Sequence, residues 1–318
     1  MDRVLAEVAA NEMPQGTQIL YSRYAQDGKS YSCEYLPDVP YVTYGDITLK
    51  LQIIKPMAAE EKMPLVVFIQ GSGWKKQNLY FEIPNLSVIA AQGYVVASVE
   101  YRSIPEYRYP AQLEDVKCAI RFLRKNADQF CVNPNNVAIW GDSSGGHLSL
   151  MTGLTIGQFN NGHYAEQSDE VLAVVDYYGI TDISTMGKFN DILDHDADDA
   201  PEALLIGGKV SQNMEKAKQA SPLYQNMDRP LPPFLLIHGD NDIVVHVSQS
   251  IEMFKALQRH GKNVQFYKVL GADHIFGFWN PDVLQVTERF LSTYLKRPPA
   301  SFYAPPPASQ PQNAGDPR

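Results

Sequence analysis

Cysteine is scarce: Cys33, Cys118 and Cys131 are the only three in 318 residues. The number is odd and no two are spaced as a metal clip, which excludes a disulfide framework and a cysteine-based metal site. Cys118 stands beside Ala119, Ile120 and Leu123 on a helical face, where packing is its expected role. Basic charge is short as well. Against 36 Asp and Glu the chain sets 27 Lys and Arg, a net charge of −9, and the basic residues form no cluster. Neither nucleic acid nor an anionic membrane is therefore an expected partner. No apolar run approaches the length that crosses a bilayer. The opening residues, Met1-Asp2-Arg3-Val4-Leu5-Ala6-Glu7, carry acids and no long apolar stretch, so no secretory signal is expected there. The expected location is cytoplasmic, or periplasmic or secreted if a leader has been removed. There is no internal repeat.

The remainder reads as one domain. An apolar fraction of 44% is that of an ordinary globular core. Residues 1–40 are expected to be an N-terminal extension, 41–296 the folded domain, and 297–318 a tail. That tail holds seven prolines in 22 residues, a composition too poor in apolar surface to order itself. Within the domain, apolar runs alternate with helical patterns. Residues 47–54 alternate polar and apolar as a half-exposed strand does, whereas Leu65 to Ile69, Tyr94 to Val99, Asn136 to Trp140, Val171 to Val175 and Phe234 to Ile237 read as buried strands, with a further strand over Val264 to Val269. Helices are expected over Leu86 to Gln92, Ala111 to Phe130, Gly146 to Leu154, Val247 to Arg259 and Asp282 to Leu295. Alternation of this kind implies an α/β fold, a mostly parallel sheet with helices on both faces. Residues 181–230 break the rhythm and are expected to form a short insertion partly covering the site. Their acids Asp191, Asp194, Asp196, Asp198 and Asp199 lack the spacing and central glycine of a calcium loop, so a solvated surface is expected and no metal.

Chemistry concentrates at Gly141-Asp142-Ser143-Ser144-Gly145, a Gly-x-Ser-x-Gly stretch between an apolar strand and a helix. A serine there sits on a sharp strand-to-helix turn with its hydroxyl exposed, and the helix N-terminus favours negative charge beside it. A serine hydroxyl needs a base, usually a histidine oriented by a carboxylate. Of seven histidines, His147 lies on the helix under Ser143 and points away. His163, His195 and His260 are in polar loop or surface contexts, His238 ends a buried strand, and His246 opens a helix. His274, in the loop after the last strand, stands at the carboxyl edge where a base belongs. Asp240 and Asp242 compete for the acid. Asp242, deeper in its loop and followed by Ile243-Val244-Val245, is preferred, with Asp240 capping the turn. The chain order Ser143, Asp242, His274 is that of α/β-hydrolases. Oxyanion donors are expected from the N–H of Ser144 and from Gln70-Gly71-Ser72-Gly73-Trp74, which follows a buried strand on the same edge.

Two further segments, Tyr101-Arg102-Ser103-Ile104-Pro105-Glu106 and Tyr109-Pro110-Ala111-Gln112-Leu113-Glu114-Asp115-Val116, complete a pattern with Gly141-Asp142-Ser143-Ser144-Gly145-Gly146. Together they resemble the hormone-sensitive-lipase-like branch of α/β-hydrolases over about residues 40–296. The resemblance implies hydrolysis of carboxylic esters through an acyl-serine intermediate, without cofactor or metal. That branch usually carries His-Gly-Gly-Gly in the oxyanion loop. The loop here, Gln70-Gly71-Ser72-Gly73 followed by Trp74-Lys75-Lys76-Gln77, looks like the bacterial subgroup described as bifunctional feruloyl and acetyl-xylan esterases. By that resemblance Ser72 and Gly73 supply oxyanion N–H groups, with Trp74 a further contributor. Trp74, Tyr178, Phe276 and Trp279 are the candidates to line the substrate pocket. The expected substrate is an ester, small or linked to a polysaccharide, and plant xylan esters come first. A general short-chain carboxylesterase or lipase, a peptidase of the prolyl-oligopeptidase type and a non-catalytic binding module are the alternatives. A peptidase of that type usually carries a propeller domain, which roughly 40 leading residues cannot build. Oligomeric state is not legible.

Overall fold

The computed structural model describes residues 32–57, 61–189 and 193–295. The tail expected over 297–318 and most of the expected N-terminal extension lie outside these described residues.

Eight strands form one sheet: β1 (Cys33–Tyr44), β2 (Ile47–Pro56), β3 (Met63–Ile69), β4 (Val95–Val99), β5 (Val132–Asp142), β6 (Ala173–Tyr177), β7 (Phe234–Gly239) and β8 (Val264–Val269). Their spatial order is β1-β2-β4-β3-β5-β6-β7-β8. The β1–β2 and β2–β4 pairs are antiparallel, and every pair from β4 to β8 is parallel. This is the α/β-hydrolase arrangement. Strand β1 corrects the expected boundary at residue 40, which falls inside a strand. Cys33 already pairs with Pro56 of β2. The strand was hidden because Pro37 and Pro40 interrupt its pattern and two register shifts, between Leu36 and Val39 and between Pro40 and Val42, break its alternation. Prolines are tolerated there because β1 is an edge strand with one side of its backbone unpaired.

Period-two alternation divides the core in two. Leu65, Val67 and Ile69 of β3 and Val137 and Ile139 of β5 face one layer. Val66, Phe68, Ala138 and Trp140 face the other. The first layer is covered by α2 (Ala111–Lys125), α3 (Ser144–Leu154) and α6 (Ser248–Arg259), which contribute Leu113, Val116, Ile120, Leu148, Met151, Met253 and Leu257. The second is covered by α1 (Ile83–Ala90) and α7 (Pro281–Tyr294), through Leu86, Ile89, Phe290 and Leu291. The segment expected to be an insertion carries a 3-10 turn over Ile183–Phe189 and the short helices α4 (Pro201–Ile206) and α5 (Met214–Gln219). Because β3 and β5 to β8 run parallel, the loops after β3, β5, β7 and β8 emerge on one edge. Those loops carry Gly71 to Trp74, Ser143, Asp242 and His274 respectively.

Candidate active site

Ser143 closes β5 and opens α3 with φ 52° and ψ −123°. A non-glycine residue in that region is strained, and the surroundings hold it there. Its N–H donates to Tyr177 O at 2.8 Å, and its carbonyl accepts from His147 N at 3.0 Å. The flanking glycines are required by close backbone approach. A Cβ on Gly145 would stand 1.9 Å from the carbonyl oxygen of Ile69, and one on Gly141 would stand 2.3 Å from that of Gly145.

The structure brings Ser143, His274 and Asp242 together across three loops. Ser143 Oγ lies 2.9 Å from His274 Nε2, and His274 Nδ1 lies 2.8 Å from Asp242 Oδ2. With Nδ1–H donating to the carboxylate, Nε2 is left as the acceptor for the serine proton. Asp242 Oδ1 accepts from Val244 N and Val245 N at 2.9 and 2.8 Å, so the residues following the acid do pin it. Burial pushes this carboxyl upward, but hydrogen bonds from His238 and His274 outweigh it and hold the group well below the usual carboxylate range. His238 was read only as a strand end, and its role was missed. Its Nε2–H is shared between Val245 O at 2.8 Å and Asp242 Oδ2 at 3.2 Å, while its Nδ1 faces Ser250 Oγ at 2.7 Å. The visible signal was the spacing of four residues between His238 and Asp242 across the turn after β7. Asp240 instead accepts from Gly271 N at 2.7 Å and ties the β7 loop to the β8 loop.

The loop after β3 packs against the serine turn. Gly71 N donates to Asp142 Oδ1 at 2.9 Å, and Ser72 N donates to Ser144 Oγ at 2.9 Å. This corrects the expectation for Ser72. Its N–H is already engaged by a neighbouring side chain and is not open to a ligand. Among the described residues no hydrogen bond uses the N–H of Gly73 or of Ser144. Gly73 takes φ +60° and Trp74 φ +56°, which turns the loop sharply at this point. The segments that carried the family resemblance hold this loop in place. Tyr101 OH lies 2.9 Å from Ser72 Oγ, and Ile104 N donates to Trp74 O at 3.0 Å. Arg102 donates from its backbone N and its Nε to Asp115, at 2.8 and 2.9 Å for Oδ2. The Tyr-Arg and Leu-Glu-Asp segments are thus two halves of one clamp.

A cavity of about 480 Å³ opens above Ser143 and His274. Trp74 and Tyr178 line it, as do Phe81, Met186 and Glu202. Tyr178 packs edge-on against the His274 ring at 4.9 Å and donates to Asp142 Oδ2 at 3.3 Å. Trp74 is buried, and its Nε1–H donates to His147 Nδ1 at 3.1 Å, so His147 braces the pocket wall. Burial lowers the pKa of His147 to about 4, and its Nε2–H donates to Ala220 O. Phe276 and Trp279 are corrections, since neither lines the cavity. Asp273 Oδ1 accepts from the N–H of both Ile275 and Phe276, turning the chain outward and leaving Phe276 75% exposed. Trp279 folds back into the core, with ring centroids 5.3 Å from Trp140 and 5.9 Å from Phe68.

Two further carboxyls lie by the serine turn. Burial pushes Asp142 up to about 6, against the hydrogen bond from Gly71 and the charge of His274. Asp176, on β6, is fully buried. Its Oδ1 accepts from Gly179 N at 2.9 Å, and its Oδ2 has no hydrogen-bond partner among the described residues. Burial, assisted by the charge of Asp142, pushes it up to about 8. The unfolded chain releases this proton near pH 4. The native state therefore holds the extra proton between those values, and stability falls as pH rises through the window. Asp176→Asn keeps the acceptor and is neutral throughout. Urea unfolding at pH 4 and pH 8 is expected to show the difference between variant and wild type moving in the variant's favour at pH 8 by a few kcal/mol. A difference that does not change with pH would contradict this assignment.

Comparison with known proteins gives the family. The BD-FAE family model matches residues 51–257, well over half of the chain, and ends before His274. Among curated relatives, Esterase LipC of Mycobacterium tuberculosis is 33% identical over 252 residues, covering 74% of this chain and 59% of LipC. The probable carboxylic ester hydrolase LipM of the same organism is 27% identical over 79% of this chain and 56% of its own length. The chain thus spans between half and two thirds of these curated relatives. Among solved structures, a truncated carbohydrate esterase from gut microbiota is 28% identical with a TM-score of 0.75, covering 83% of this chain and 98% of that one. A bifunctional GH43-CE protein of Bacteroides eggerthii is 31% identical with a TM-score of 0.73, covering 83% and 38%. The sheet order, the serine turn and the family match agree: the chain belongs to the BD-FAE family, in the hormone-sensitive-lipase-like branch of the α/β-hydrolases.

Proposed function

We propose that this chain is a carboxylic ester hydrolase working through an acyl-serine intermediate, and that its preferred reaction is release of acetyl or feruloyl groups from plant xylan. The observation that carries the first part is the 2.9 Å contact between Ser143 Oγ and His274 Nε2, with Asp242 on the far nitrogen. In this reading His274 takes the hydroxyl proton as Ser143 attacks the ester carbonyl. Charge developing on the carbonyl oxygen is met by the N–H groups of Ser144 and Gly73, which have no acceptor among the described residues. The alcohol leaves with the proton held by His274, and water then repeats the sequence on the acyl-enzyme. His238 shares the Asp242 carboxylate and keeps it ionised and oriented.

The second part is supported by the similarity to the gut-microbiota carbohydrate esterase and the GH43-CE protein. A general short-chain carboxylesterase is the second reading. It is supported by the curated esterase relatives and by the exposed apolar residues Phe81, Leu193 and Ile275 that border the cavity. Hydrolysis rates on p-nitrophenyl acetate, butyrate and octanoate, methyl ferulate and acetylated xylan separate the two. The proposal expects release of acetate or ferulate from the plant substrates and a fall in rate from acetate to octanoate. Activity confined to the p-nitrophenyl esters supports the second reading, and inactivity on all five contradicts both.

A further inference from the structure

Glu202 is the second residue of α4, in the segment that covers the cavity. It is only 3% exposed. Its Oε1 lies 3.0 Å from His195 Nδ1, which fixes the side chain. Its Oε2 is buried and has no hydrogen-bond partner among the described residues. A buried carboxyl oxygen without a donor is costly and rare, and a site that holds one is incomplete. Glu202 and His195 stand on the wall of the same cavity as Ser143 and His274. The start of α4 also abuts the oxyanion loop, since a Cβ on Gly73 would meet Pro201 at 3.5 Å. No Lys or Arg is among the described residues lining the cavity, so the wall offers Glu202 no cationic partner.

We propose that Glu202, held by His195, accepts a hydrogen bond from a hydroxyl of the substrate and so makes the site prefer hydroxyl-bearing esters. This rests on the esterase reading above and adds a specificity-determining residue to it. The chemistry required is one O–H donor near the scissile ester. A sugar ring supplies it from the alcohol side, and a free phenol supplies it from the acyl side. A site built to hydrogen-bond such a group rejects the analogue that lacks it, because the buried acceptor is then left unsatisfied.

Two matched pairs test this. Methyl xyloside monoacetate is compared with cyclohexyl acetate, and methyl ferulate with its phenol-methylated analogue. In the wild type at least one hydroxylated member is expected to have the higher kcat/KM. In Glu202→Leu that preference is expected to fall about tenfold, equivalent to about 1.4 kcal/mol. The pair that loses its preference identifies the sugar or the phenol as the source of the hydroxyl. Glu202→Gln keeps the side-chain length and the His195 contact. Its expected loss is smaller, about threefold, because with Oε1 held by His195 the free position carries an NH2, which can donate to the hydroxyl oxygen but cannot accept from it. It decides the matter if the leucine variant gives no cooperative melt. Ratios unchanged in both pairs, or a loss equal for both members of each pair, overturn the inference. Absence of p-nitrophenyl acetate hydrolysis in the wild type would instead overturn the esterase reading beneath it.

Discussion

Ser143→Ala is expected to lower kcat on p-nitrophenyl acetate by about 10⁴-fold or more, with the melting temperature nearly unchanged. The side chain removed is a single oxygen at the mouth of the cavity. The strained turn that holds it is built by Gly141, Gly145 and the hydrogen bond to Tyr177 O, none of which depends on the hydroxyl. His274→Ala is expected to cost a comparable factor, because a serine without a base is a poor nucleophile. The double variant should be hardly worse than either single one, since the two groups act as a unit and their effects do not add. Initial rates of the three variants, read with their thermal melts, check this. If Ser143→Ala kept more than a tenth of the wild-type rate, Ser143 would not be the nucleophile.

The largest effect on stability is expected from Gly145→Ala. The added methyl would lie 1.9 Å from Ile69 O and 2.6 Å from Ile69 C, both backbone atoms of the central strand β3. Neither can rotate away, and the Ile69 segment is fixed by parallel pairing with Gly141 of β5. Typical overpacking costs about 1–3 kcal/mol where side chains can yield. Because the obstacle is backbone, the cost here should exceed about 3 kcal/mol, a large share of the stability of a typical domain. Urea denaturation of the variant should show a midpoint well below the wild type, or a chain that does not fold at 37 °C. By contrast Gly157→Ala, a position with φ +79° but open space around it, should lose far less. Equal losses in the two variants would mean that contact at the serine turn is not what demands glycine.

The parts legible in the sequence were those that a short pattern encodes locally. The continuous apolar run of β3 announced a strand buried on both faces, and Leu65 and Val66 do face opposite layers. The serine turn was legible because strand, Gly-x-Ser-x-Gly and helix are contiguous. His274 and Asp242 emerged because each directly follows a strand of the parallel set, so their edge of the sheet was implied before their positions were known. What escaped depended on how the chain turns and folds back on itself. Strand β1 carries two prolines and two register shifts, and only its pairing with β2 reveals it. Phe276 and Trp279 follow His274 closely, but the Asp273 turn sends one outward and the other into the core, which proximity in sequence does not encode. Ser72 lost its expected role to the Oγ of Ser144, 72 residues away. His238 is four residues from Asp242, yet its contact with the carboxylate needs the β7 turn to fold back on itself.

Peptide mass spectrometry of the enzyme quenched with acid during turnover of p-nitrophenyl acetate shows where an acyl group is carried. An acyl-serine mechanism accumulates acyl-enzyme after a burst of p-nitrophenol when deacylation is slow. One acetyl group per chain is expected, carried on the peptide containing Ser143 and absent from Ser143→Ala. Acetyl on another residue, with Ser143 unmodified while p-nitrophenol is still released, would contradict it.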